Sequence, residues 1–275
     1  MDIRSHFELI VKAAQAGGNQ GLAKQERTPT IYDVGGGSLT TAEDEPVQAT
    51  VIRVLREGDP HTNIIGEESP EKRMTPQAYI IDPIDGTVGY SKNGEEWCTT
   101  IAYKNGDRID AAVIYQPRTG TLITAYRGGK LEIVTRGVQQ PIPPPQTGDI
   151  TPWKLVAIAP LSSEFSDEIV QDVFAKLLQN MRFTEHGSSN SDGIKRFLLG
   201  HVDIFSGWGW IWDFAAGMLF VEMMGGAMAT FHGESIDASV IGPQRVVFGR
   251  NKALLDIGVS FTRNWRIDIE RRPPR

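Results

Sequence analysis

Between Ala78 and Val134 the chain passes through YIID, WCTTIAY, IDAAVIY, TLITAY and KLEIV, short runs rich in β-branched and aromatic residues. Turn chemistry separates the later runs: KNGD at Lys104 to Asp107, QPRTG at Gln116 to Gly120, and the pair Gly128 and Gly129. Short runs spaced in this way pair with their neighbours, and the pattern predicts an antiparallel meander.

The flanks read differently. Phe7, Ile10, Val11 and Ala14 fall at helical spacing, and Gly17, Gly18 and Gly21 then loosen that pattern. Pro46 to Glu57 predicts a second amphipathic helix with Val47, Val51, Val54 and Leu55 on one face. Between the two, IYDVGGGSL reads as a mobile connection, because three consecutive glycines restrain the backbone so little. Pro141 to Pro152 resists helix and sheet alike and predicts a linker. KLVAIAP beyond it predicts a strand, and SDEIVQDVFAKLLQN a helix capped by Ser166. The expected division is therefore an N-terminal α+β part over 1–145 and a C-terminal α/β part over 146–275. The basic ending RNWRIDIERRPPR is expected to be loose.

Charge and cysteine usage narrow the function. Asp plus Glu number 34 against 28 Lys plus Arg, a net −6, which argues against a broad footprint on nucleic acid or an anionic membrane. Cys98 is the single cysteine, so an intrachain disulfide and a multi-cysteine metal site are excluded. The opening MDIRSHFELIVKAAQ lacks a secretory pattern, and the most apolar helical stretch, Phe214 to Met224, falls short of the roughly 20 residues of a membrane span. The expectation is a soluble, cytoplasmic protein.

Chemistry concentrates in Asp82-Pro83-Ile84-Asp85-Gly86-Thr87, directly after the apolar AYII. Two carboxylates this close repel unless one is protonated or a cation lies between them. A divalent metal is the simpler solution, and hard oxygen ligands favour Mg²⁺, with Mn²⁺ as the alternative, over zinc. Upstream, NIIG leads into Glu67 and Glu68; downstream, Asp213 opens an apolar helix in WDFAAG. Each segment has an ordinary reading: a capped turn, a solvated acidic loop, a helix N-cap.

Together, GEES, DPIDGT and WDFAAG, in this order and spacing, resemble the inositol monophosphatase superfamily of Mg²⁺-dependent, lithium-sensitive phosphomonoesterases. The similarity extends to Thr41-Ala42-Glu43-Asp44 and to the Gly-Gly pair after the WD helix. The resemblance implies a layered αβαβα sandwich of the α/β class, and often a homodimer. It implies that Glu67, Asp82, Asp85, Asp213 and the Ile84 carbonyl hold two or three Mg²⁺ ions, with Asp82 bridging. Asp44 paired with Thr87 would orient and deprotonate the attacking water, with Glu67 counted beside them as catalytic. The Gly86 and Thr87 amides would cradle the phosphate. Cys98 is given no role beyond that of a small buried hydrophobe.

Substrate choice in the superfamily rests on the segments Gly187 to Ser191 and Ser206 to Ile211, together with Asp213. Candidate contacts are Ser188, Ser189, Lys195 or Arg196 for a second phosphate, and Trp208 and Trp210 for a planar base. The ordinary readings are core or subunit-contact tryptophans and a solvated basic helix face. Nothing acidic lies between Ile204 and Trp212, where inositol monophosphatases carry a glutamate. The resemblance therefore points to a 3′-phosphonucleotide, as in 3′(2′),5′-bisphosphate nucleotidases, or to a sugar phosphate, ahead of inositol monophosphate. A non-catalytic metal- or phosphate-binding regulator on the same scaffold is the alternative of another class. Two departures mark a divergent member: the usual Lys-rich stretch before the T-x-x-D element is replaced by TIYDVGGGSL, and the Glu67 to Asp82 interval is short. GGGSLTT lacks the Gly-Lys-Ser/Thr ending of a phosphate loop, and no paired-histidine zinc spacing occurs.

Overall fold

A computed structural model of the chain describes residues 1–26, 31–33, 39–70, 72–145, 155–158, 184–185 and 189–263. The predicted helix capped by Ser166, the contact Ser188, the later part of the proline-rich segment and the basic ending lie outside the described residues.

The first helix, α1 (Ile3–Gln25), does not loosen at its glycines. It runs through them because its neighbours press close there: a Cβ on Gly17 would come within 2.5 Å of Val51, and one on Gly21 within 2.9 Å of Trp97. Close approach of the neighbours offsets the low helix propensity of glycine. Helix α2 (Asp44–Gly58) buries Val47, Val51, Val54 and Leu55 on one face, as the spacing predicts. Pro46 sits in its first turn, where a missing N–H costs nothing. The supposed mobile connection contains an antiparallel pair, β1 (Ile31–Asp33) with β2 (Leu39–Thr41).

The meander is real. Strands β3 (Asn63–Gly66), β4 (Gln77–Asp85), β5 (Cys98–Asn105), β6 (Arg108–Gln116), β7 (Thr121–Tyr126), β8 (Glu132–Thr135) and β9 (Val138–Gln140) form a seven-stranded sheet in chain order. Every pairing is antiparallel except β3 with β4, which is parallel, so these two strands end at the same edge of the sheet. Alternation divides the side chains between two faces. Tyr79, Ile81, Ile101 and Val113 pack against Ile10, Ala14, Val51 and Leu55 of α1 and α2. Ile80, Ala102, Ala112 and Ile114 face the other way.

On that second face lie α4 (Asn190–Leu198) and α5 (Ile211–Met223); the five-residue helix α3 (Thr87–Ser91) follows β4. Beyond them is a five-stranded sheet of β10 (Leu155–Ile158), β11 (Thr184–Glu185), β12 (Ile204–Gly209), β13 (Ala227–Thr230) and β14 (Gln244–Gly249), in the order β11-β10-β12-β14-β13. Phe205 and Phe248 of this sheet share one core with Phe214 and Phe220 of α5 and with the first sheet. That position explains why α5 is apolar nearly all round: it is covered from both sides. Helix α6 (Lys252–Thr262) closes the outer face, with Leu254 and Val259 against Ile204 and Val247. The layers are helices, sheet, helices, sheet and helix, the expected αβαβα sandwich. No helix among the described residues is long and apolar enough to cross a membrane.

Candidate metal centre

A regular strand presents residues three apart to opposite faces, yet Asp82 and Asp85 share a side. The reason lies in the register. Asp82 is opposite Thr100 and Asp85 opposite Cys98, so β4 carries one residue more than β5 over this step. This bulge brings Asp85 round to the Asp82 side. Pro83 fits here because the irregular ladder asks no N–H of it. Its carbonyl accepts from the Thr99 hydroxyl at 2.8 Å, and the Ile84 N–H donates to Asp82 Oδ1 at 3.0 Å. The Ile84 side chain anchors the turn among Val47, Tyr90 and Trp97. The acids thus stand within the last stretch of β4, not beyond its end.

Two further elements deliver carboxylates to this corner. The parallel strand β3 ends at Gly66, and the next residue, Glu67, donates its amide to the Ile81 carbonyl at 3.1 Å, which sets it beside Asp82. Its carboxyl is close enough to share a hydrogen bond with that of Asp82 and also faces Asp213. Asp213 lies in the first turn of α5, where Oδ2 accepts from the Trp210 amide at 2.6 Å. Asp213 is therefore not the N-cap, a place held by Trp210; it is the third helical residue and accepts from the N-cap amide. Carboxylate oxygens of Asp82, Asp85 and Asp213 all lie within 4.8 Å of one another.

This arrangement repels itself. Burial first, and neighbouring carboxylates second, hold Glu67 and Asp82 well above the usual carboxylate range, and push Asp213 to about 7. Asp85 is also raised by burial, although the Ser191 amide donates to its Oδ2 at 2.7 Å. Converging, buried, oxygen-only donors fit a hard divalent cation such as Mg²⁺. Thiolate and imidazole ligands of a softer metal are absent from the cluster. The thiol of Cys98, buried as expected, lies 3.8 Å from Asp85 Oδ2.

Other expected contacts are engaged elsewhere. Asp44 is buried, which raises it to about 7, and it accepts from the Thr41 amide at 2.8 Å and from the Thr41 hydroxyl at 2.5 Å. The Thr87 hydroxyl donates to the Ile84 carbonyl at 3.3 Å. The two are not paired: the T-x-x-D element closes on itself at the start of α2. Gly86 has φ +95°, a conformation that suits glycine, and caps the start of α3 directly after Asp85.

The substrate contacts change most. Ser189, only 4% exposed, caps α4 by accepting from the Asp192 amide and donates to the Glu96 carbonyl. Lys195 and Arg196 are half-buried and engaged in ion pairs rather than forming a solvated face. Both pair with the fully buried Asp192, at 2.6 and 2.7 Å, and Lys195 also donates to Gln116. Trp210 stacks on Trp212 with ring centres 5.2 Å apart. On β12, a Cβ at Gly207 or Gly209 would press on Asn190 or Asp213, so the alternate residues Ser206 and Trp208 face away from the carboxylates. Trp208 is not a stacking partner at this site.

Three residues lie in segments that the sequence marked but were given no role of their own: Thr41 on Asp44, Asn190 on Asp213 and Ser191 on Asp85. The cluster of Ser, Asn and Asp in GSSNSDG is an N-cap signature that marks where such donors gather.

The sequence is 30% identical over 234 residues to the Nus factor SuhB of Escherichia coli K12, covering 82% of this chain and 85% of that one. The fold is similar to staphylococcal inositol monophosphatase-1 in a lithium-soaked inhibitory complex, with TM-score 0.80, 19% identity and 95% of each chain covered. It is also similar to an inositol monophosphatase/NADP phosphatase complexed with Mg²⁺ and phosphate, with TM-score 0.74, 20% identity, and 87% of this chain and 88% of that one covered. The sequence profile of the inositol monophosphatase family matches residues 4–262, and with the site's acids drawn from the segments that carry the resemblance, the chain belongs to that family.

Proposed function

We propose that the protein is a Mg²⁺-dependent phosphomonoesterase acting on a small phosphorylated metabolite. One observation carries the reading: the buried carboxylates of Asp82 and Asp85 on β4 and the half-buried one of Asp213 on α5, joined by Glu67 from the end of β3, converge where a cation relieves their repulsion without protonating them. Glu67, Asp82, Asp85, Asp213 and the Ile84 carbonyl would hold two or three ions, as in two-metal hydrolases. Bound there, the metal supplies charge for the phosphoryl oxygens and a lowered pKa for a coordinated water.

The chain's own groups do the rest. The amides of Gly86 and Thr87 orient the phosphate at the head of α3. Asp44, raised to about 7, is a carboxyl able to take a proton near neutral pH. Its pairing with Thr87 requires the Thr41 hydroxyl to release it. In this reading the two parts of the chain meet at the site, since β4 and α5 belong to opposite sides of the 145/146 division.

For the substrate, we rank a sugar phosphate first, a 3′-phosphonucleotide second and inositol monophosphate third. The strand before WD carries no acid for inositol hydroxyls. With Lys195 bound to Asp192 and Trp208 turned away, Trp210 is the one of the two expected tryptophans left for a base. A non-catalytic role is the second reading, favoured by the name of the SuhB relatives, which are Nus factors. Phosphate release from a panel of esters with Mg²⁺, repeated after chelation, tests the proposal. Release that chelation abolishes is expected; metal binding with no turnover on any ester would favour the second reading.

A further inference from the structure

Asp85 and Asp213 come from different elements and repel each other, so something must fix their separation. Two consecutive residues at the start of α4 touch both. The Ser191 amide donates to Asp85 Oδ2 at 2.7 Å, and the Asn190 side-chain amide donates to Asp213 Oδ1 at 3.1 Å. We propose that the first turn of α4 is a clamp that sets the Asp85–Asp213 spacing, with Asn190 as a positioning residue for divalent-metal binding. This rests on the metal-site reading above.

The clamp is itself held. Asn190 Nδ2 also reaches the Trp208 carbonyl at 3.4 Å, and its Oδ1 lies 2.7 Å from where a Cβ on Gly207 would stand. That Oδ1 is buried and accepts no hydrogen bond among the described residues, so the contribution of Asn190 lies in its donors. Asp213 is gripped from three directions: Asn190 on Oδ1, the Trp210 amide on Oδ2, and the bare Cα of Gly209, where a Cβ would come within 2.4 Å of Oδ2. The Gly-Trp-Gly spacing of β12 thus makes room for the asparagine and the aspartate together.

Behind the clamp, α4 is fastened to the loop before β5 and to β6 of the first sheet. Ser189 donates to the Glu96 carbonyl at 3.2 Å, Arg196 pairs with Glu96 at 3.3 Å, and Lys195 reaches Gln116 on β6 at 2.9 Å. The basic pair therefore serves the position of the helix. An outer hydrogen bond that orients a metal ligand is worth roughly 10–100-fold in metal affinity.

The test uses the full chain, with Mn²⁺ as the probe and free Mn²⁺ read by electron paramagnetic resonance, beside thermal melting in chelator. Wild type is expected to bind Mn²⁺. Asn190→Ala should weaken that binding by about tenfold, with melting in chelator close to wild type. A purely structural role would lower the melting temperature and leave the affinity of the folded protein unchanged, which overturns the clamp. Should Asn190→Ala fail to fold, Asn190→Leu keeps a side chain of similar size without the donor to Asp213 Oδ1, and unchanged Mn²⁺ affinity there overturns the clamp as well. Absence of Mn²⁺ binding by wild type would instead sink the metal-site reading itself.

Discussion

Asp82 and Asp85 lie three residues apart on one strand and still point their carboxylates into the same corner, within 4.8 Å of each other, because β4 bulges by one residue between them. Regular pleating would send one of them to the opposite face. The proline and isoleucine between the acids have separate tasks: Pro83 tolerates the broken ladder, and Ile84 pins the bulge into a small apolar cluster. The metal corner is thus a property of backbone register before it is one of side-chain chemistry.

Asp85→Asn is expected to abolish Mg²⁺-dependent phosphate release, a loss beyond the roughly 100-fold upper range of a ligand's outer partner. An asparagine keeps the shape and can still accept from the Ser191 amide, so the fold should survive. Turnover and circular dichroism on the same preparation check this; near-normal turnover would remove Asp85 from the site.

Gly86→Ala should destabilise the protein by about 1–3 kcal/mol. The residue has φ +95°, and an added Cβ would lie 2.9 Å from Ser189 Cβ and 3.3 Å from Trp97 Cα. Urea denaturation measures the loss, and an unchanged midpoint would show that the turn relaxes freely.

The metal-free protein should lose stability as pH rises from about 6.5 to 8. The folded-state pKa values of Glu67, Asp82, Asp85 and Asp213 are raised, so the folded state holds protons that the unfolded chain has already released, and stability falls with pH across that window. His6, lowered by burial, acts in the opposite direction, but chiefly below its ordinary value of 6.5. Mg²⁺ should reverse the slope, since it binds the deprotonated acids. Melting curves at several pH values, with chelator or with Mg²⁺, read both effects; a rise with pH in chelator would contradict the raised carboxyls.

Lithium at millimolar concentration should inhibit turnover by displacing a weakly held Mg²⁺. The measurement is phosphate release at fixed Mg²⁺ and increasing lithium. Indifference would separate this chain from the metal handling that its resemblance implies.

Much of this was legible in the sequence, because the informative signals are local. The meander shows in short β-branched runs, α2 in its valine spacing, and the acids in the order of GEES, DPIDGT and WDFAAG. What escaped depends on distant partners. The continuity of α1 rests on Val51 and Trp97, far along the chain, and glycine propensity alone reads as a break. Lys195 and Arg196 look solvated until Asp192, in the same helix, turns out to be fully buried. The orientation of Trp208 follows from strand register, which its flanking glycines conceal. The Thr41–Asp44 contact was missed because the resemblance suggested Thr87 as the partner of Asp44.

The central claim meets its most direct test in crystals of the full chain grown with Mn²⁺, measured by anomalous diffraction near the manganese edge. Peaks bounded by Asp82, Asp85 and Asp213, with Glu67 reaching one of them, are the predicted result. Intact, well-ordered carboxylates with no anomalous peak between them would contradict it.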